Sequence, residues 1–177
     1  MSPAQEPTDV KGILSALADP ATTTEAASRL IALGKAQKDV RLQVGRELPP
    51  MLLQTKNVPV VQSEAKVAGA LQLDNTIPSL IQLLNWFNFD GNTTMTSTIQ
   101  LTDDPVARAL YEIGAPAELL LAPILESRNR VAKERAMRIL VLRNTPESRA
   151  ILEKHLAIET DPRLRDYLTA NGIKNTR

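Results

Sequence analysis

Val106-Ala107-Arg108-Ala109-Leu110-Tyr111-Glu112-Ile113-Gly114-Ala115-Pro116-Ala117-Glu118-Leu119-Leu120-Leu121-Ala122-Pro123-Ile124 carries one apolar spacing twice. Val106, Ala109, Leu110 and Ile113 fall at i, i+3, i+4 and i+7; beyond a Gly-x-Pro turn, Ala117, Leu120, Leu121 and Ile124 repeat it. At 3.6 residues per turn this spacing lays four apolar side chains along one stripe of a helix. The template recurs at Val10, Ile13, Leu14, Leu17; at Ala27, Leu30, Ile31, Gly34; and at Ile77, Leu80, Ile81, Leu84. Turns rich in Asp, Asn, Gly and Pro separate the copies. Such helices, arriving in pairs with repeats roughly 30 to 40 residues apart, predict an all-α fold. The expected architecture is a right-handed α-solenoid of about five antiparallel helix pairs, each covering its neighbour's apolar face.

The 177 residues fit one domain, and 43% apolar residues suffice for a sizeable core. Aromatics make up only 3%, so few rings exist to stack on bases or cofactors. Lys and Arg number 21 against 20 Asp and Glu, which removes the overall field that gathers nucleic acid or an anionic membrane. Zero cysteines exclude disulfides, thiolate metal sites and a Cys nucleophile. No apolar run approaches the roughly 20 residues that span a bilayer. Ser2-Pro3-Ala4-Gln5-Glu6-Pro7 has the small, polar character of a mature N-terminus after a cleaved signal. The expected compartment is therefore the cytoplasm for a complete chain, and the periplasm or exterior for one lacking its leader.

Residues 1–7 are expected to form a flexible tail, 8–172 a single helical domain and 173–177 a second tail. Thr22 to Thr24 offer an N-cap for the helix that follows, and Gly34 a C-terminal stop. Pro49-Pro50 predicts a break or kink, because a proline ring removes an i to i−4 hydrogen bond. From Asn88 to Asp103 the helical pattern stops. Gly91-Asn92-Thr93-Thr94-Met95-Thr96-Ser97-Thr98 is too polar and too β-branched for a helix, so a long inserted loop is expected there.

The run Glu64-Ala65-Lys66-Val67-Ala68-Gly69-Ala70-Leu71-Gln72-Leu73-Asp74-Asn75-Thr76-Ile77-Pro78-Ser79-Leu80-Ile81-Gln82-Leu83-Leu84 resembles a HEAT-type repeat junction. In it an Ala/Leu-rich second helix, a tight Asp-containing turn and an Ile-Pro-x-Leu-Ile first helix follow one another. The stretch from Val106 to Pro116 is similar, and Asp-Pro pairs at Asp19, Asp104 and Asp161 precede helices as they often do in that family. The resemblance covers about residues 8 to 171. It implies a HEAT/armadillo-like scaffold or adaptor rather than any particular activity.

His155 is the only histidine, so the paired His-Glu iron ligands of HEAT-type deoxyhypusine hydroxylases cannot be assembled. Its neighbours Ile151 and Leu152 mark it as a packing residue. Trp86, beside Phe87, fits a core or loop anchor better than the base-flanking aromatics of HEAT-like DNA glycosylases. Arg128, Arg130, Lys133, Arg135, Arg138 and Arg143 form the densest basic run. Arg130, Glu134 and Arg138 lie on one helical line, which favours a salt-bridged solvated helix over a phosphate site. Among residues 58–103 only Lys66 opposes Glu64, Asp74, Asp90 and Asp103, an acid excess that would steer a basic partner.

These features point to a non-enzymatic protein-binding scaffold with no cofactor and no metal, expected as a monomer. Its partner would be a protein or peptide held on the concave face of second helices and near the 88–103 loop. The candidate contacts are Lys66, Gln72, Trp86, Met95, Arg108, Tyr111 and Arg135. The alternatives are nucleic-acid or phosphate binding through the basic 128–143 helix, or an accessory role in a lyase-like enzyme.

Overall fold

The computed structural model of the chain describes residues 9–86 and 104–174. Every regular element among them is helical: α1 (Val10–Leu17), α2 (Thr23–Ala36), α3 (Lys38–Gln54), α4 (Val58–Ala70), α5 (Ile77–Trp86), α6 (Pro105–Ile113), α7 (Ala115–Leu121), α8 (Arg130–Arg143), α9 (Pro146–Leu156) and α10 (Pro162–Ala170). One-turn 3-10 segments, Asp74–Thr76 and Ala122–Glu126, precede α5 and follow α7. The expected 88–103 loop lies outside the described residues.

Turn chemistry starts the helices as the sequence suggests. Asp9, Asn57, Asp104, Asn129, Thr145 and Asp161 each accept a backbone N–H from the first turn of the helix they precede. Pro105, Pro146 and Pro162 sit where a missing N–H costs nothing. Thr22 departs from expectation: its hydroxyl donates to Ala16 O at 2.7 Å and tightens the α1–α2 turn rather than capping α2.

Contacts between helices fall in two rows. In one, α1 packs on α3, α3 on α5 and α5 on α7; in the other, α2 packs on α4, α4 on α6 and α6 on α8. Successive helices then join the rows, α1 to α2, α3 to α4, α5 to α6 and α7 to α8. A single core of buried Leu, Val, Ile and Ala runs between them, from Val10 to Ile173. Packing therefore reaches one residue into the stretch expected as the C-terminal tail.

The stripes of α1 and α6 are buried at all four expected positions. In α7 the phase differs. Leu120 is 48% exposed, and the buried line is Ala117, Leu121 and Leu125, at i, i+4 and i+8. Gly34 does not end α2. The helix continues to Ala36, and a Cβ on Gly34 would lie 2.7 Å from a Leu71 methyl, so the glycine admits α4 at close range.

Pro49-Pro50 does not break α3, which is continuous from Lys38 to Gln54. Pro49 leaves the Gly45 carbonyl without its helical donor, and the Asn75 side-chain amide, from the turn before α5, takes that place. Ser79 Oγ donates to Pro49 O at 2.9 Å, so α3 is tied to α5 on both sides of the proline pair. Replacing Asn75 with Ala should cost about 1–3 kcal/mol in urea unfolding, the usual penalty for stranding a buried acceptor. Adding Pro49→Ala, which restores an N–H to Gly45 O, should recover part of that loss. Absence of any recovery would mean that Asn75 acts otherwise.

Candidate binding groove between α4 and α6

Gln62, Lys66 and Ala70 recur at i, i+4 and i+8 along the one side of α4 that the core leaves uncovered. Across from them α6 presents Pro105, Arg108, Ala109 and Glu112. Together these seven residues line a groove of about 440 Å³, within the size range of ligand sites. Its floor is shallow because the helices nearly touch: a Cβ on Gly69 would lie 2.9 Å from Ala109 Cα, closer than any side chain tolerates. Glycine and alanine thus bring the backbones together, and long polar side chains form the walls.

The walls are partly wired. Arg108 Nε donates to Glu112 Oε1 at 2.8 Å, an i, i+4 pair. Gln72, in a left-handed conformation with φ of 50°, donates from its side chain to Glu112 O at 3.3 Å. Its own carbonyl accepts from Arg41 at 3.2 Å. Three of the candidate contacts, Lys66, Arg108 and Gln72, therefore gather at this groove or its end. Gln62 and Glu112 belong to it as well; their helical offsets from Lys66 and Arg108 were the available signal.

The remaining candidates lie elsewhere. Tyr111 is half-buried against the core, with the Arg143 guanidinium 5.6 Å from its ring centroid. Trp86 is the last residue of α5 and its side chain is not described, while Met95 lies outside the described residues. Arg135 is not a surface contact at all. Only 6% exposed, it grips Asp104 through Nε and NH2 at 2.6 Å each, and donates from NH1 to Leu84 O at 3.0 Å. It turns inward because the α6 cap and the last turn of α5 both present oxygens that need donors.

The rest of the basic run is similarly engaged. Arg130 pairs with Glu134 at 2.8 Å and approaches Asp161 at 3.6 Å; Lys133 reaches Glu159 at 3.2 Å, and Arg143 reaches Glu118 at 2.7 Å. Arg138, expected beside Glu134, instead hydrogen-bonds Tyr167; burial pushes that hydroxyl's pKa up, against the opposing pull of the guanidinium. Only Arg128 of this run stands exposed without a pair among the described residues. A phosphate chain would have to compete with carboxylates already in place.

Two buried acids had no sequence signal. Glu64, 1% exposed on α4, has an oxygen without a hydrogen-bond partner, and burial pushes its carboxyl up to about 7. Glu159 is also buried, which raises its carboxyl. Hydrogen bonds from Asp161 N, His155 and Lys133 outweigh that burial and bring it down to about 2. His155 lies at 2.8 Å from Glu159 and is itself 6% exposed, a packed histidine more buried than its sequence context implied. Among the described residues no cluster of His, Asp and Glu suits a metal ion, and no helix is long and apolar enough to cross a membrane. No family model, curated protein or solved structure matches this chain, so the HEAT resemblance rests on the residues that carry it.

Proposed function

We propose that the chain is a non-enzymatic binding module, a right-handed α-solenoid of HEAT type that holds a polypeptide on the face formed by α2, α4, α6 and α8. The two rows of stacked helices support the architecture. The observation that carries the function is the α4–α6 groove. It brings Lys66 and Arg108, both expected from sequence to be second-helix contacts, to opposite walls of one cleft. An alanine floor with amide and cationic walls suits an extended chain, which offers carbonyls and small side chains along its length. The paired charges of α8 leave the nucleic-acid alternative without a comparable surface.

The test is binding of the full-length chain to the polypeptide it captures, compared with the Lys66→Glu/Arg108→Glu variant. Both residues are exposed, so the melting temperature should hold while affinity falls at least about tenfold, roughly 1.4 kcal/mol. Undiminished binding by a folded variant would rule the groove out. Collapse of wild-type affinity by orders of magnitude between low and moderate salt would instead favour a nucleic acid, whose phosphate chain releases many counterions at once.

A further inference from the structure

We infer that the polypeptide held between α4 and α6 is acidic, with a carboxylate side chain seated between the Lys66 ammonium and the terminal guanidinium nitrogens of Arg108. This rests on the peptide-binding reading of the same groove and adds the chemistry of its occupant. The acid excess of residues 58–103 predicts the opposite, a basic partner, yet of its described acids Glu64 is buried on the far side of α4 and Asp74 sits in the 3-10 turn before α5, neither of them in the groove lining. What α4 shows to the groove is Lys66 and the neutral Gln62. Lys66 makes no ion pair among the described residues.

Opposite, Arg108 donates to Glu112 through Nε, and among the described residues its two terminal nitrogens, each a two-proton donor, remain for an incoming oxygen. Glu112 is the only acid among the described lining residues. Its Oε2 lies 2.6 Å from where a Cβ on Gly69 would stand, while Oε1 is held by Arg108. The described lining thus keeps one positive charge in excess, with one cationic side chain on each wall. A carboxylate accepts from an ammonium and a guanidinium together, and charge-assisted bonds of this kind are about twice as strong as neutral ones. Gln62, one turn from Lys66, can pair with the peptide backbone on either side of the acid. Among the described residues no aromatic ring lines the groove, so none of them offers a base a surface to stack on.

The test uses amide NMR of the full chain at physiological salt, titrated with a blocked hexapeptide of alternating Ala and Glu. Its Gln counterpart, its Lys counterpart and inorganic phosphate are run alongside. The expected result is saturable shifts at Gln62, Lys66, Ala70, Arg108 and Ala109 with the Glu peptide, and roughly tenfold weaker binding of the Gln peptide. Lys66→Glu/Arg108→Glu should abolish the shifts, and Lys11→Glu, at an exposed lysine of α1 in the opposite row, should retain them. Equal binding of Glu and Gln peptides in the groove would overturn the acidic preference while leaving the peptide reading intact. Preference for the Lys peptide, or phosphate shifting the same residues as strongly as the Glu peptide, would also overturn it. Silence of the groove toward every peptide would overturn both.

Discussion

Replacing Arg135 with Ala should lower the unfolding free energy by about 3–5 kcal/mol, the range for stripping one partner from a buried ion pair. Arg135 and Asp104 are 6% and 8% exposed, so the stranded Asp104 carboxylate would face the core without a counter-charge. The Leu84 carbonyl, in the last turn of α5, would lose its donor as well. Because Asp104 also caps α6, the clamp fixes the end of one helix against the start of the next, across the intervening 87–103 segment. Arg135→Lys keeps the charge but not the planar fork, so it should fall between Ala and wild type. Urea melts followed by circular dichroism would decide this. A loss below about 1 kcal/mol for the Ala variant is a surface-pair value and would mean that the clamp is solvated.

The second large effect depends on pH. Glu64 titrates near 7 in the folded protein, raised from 4.5 by burial, so the native state binds its proton more tightly than the unfolded chain. Its contribution is fully present below pH 4.5 and is lost as pH rises to 7. Over that window the loss is on the order of 3 kcal/mol, since each tenfold difference in proton affinity between the two states is worth about 1.4 kcal/mol. Glu159 acts in the opposite direction and in a different window. Its carboxyl is lowered to about 2, so its stabilisation disappears only as pH falls from 4.5 toward 2. In Glu64→Gln the decline between pH 5 and 8 should largely vanish, leaving the variant the more stable protein at pH 8. Matching slopes in wild type and variant would show that Glu64 is charged and solvated in the folded state.

The helical period is legible in the sequence because it is local: Val106, Ala109, Leu110 and Ile113 need nothing beyond their own spacing to be placed inside. Partners from distant turns are not. Pro49-Pro50 signals a break until Asn75, 30 residues from Gly45, takes the freed carbonyl. Arg135 looks like one more charge on a solvated helix until Asp104, 31 residues away, turns it inward. Leu120 leaves its expected stripe because the neighbouring line of Ala117, Leu121 and Leu125 is the buried one, and the apolar spacing alone does not choose between the two. For the groove, the exposed edges of their helices are enough to nominate Lys66 and Arg108. That these edges face one another follows from Gly69 meeting Ala109, a contact between residues on different helices that no single-helix pattern reveals.

The most direct test of polypeptide binding between α4 and α6 is site-specific photo-crosslinking in the native cell. A benzophenone amino acid would be placed at Gln62, inside the groove, and at Ser15, exposed on α1 in the opposite row, as the control. Polypeptide binding in the groove predicts a discrete protein adduct from position 62, lost when Lys66→Glu and Arg108→Glu are added, and none from position 15. Equal adducts from positions 62 and 15, or a position-62 adduct indifferent to the charge reversals, would contradict it.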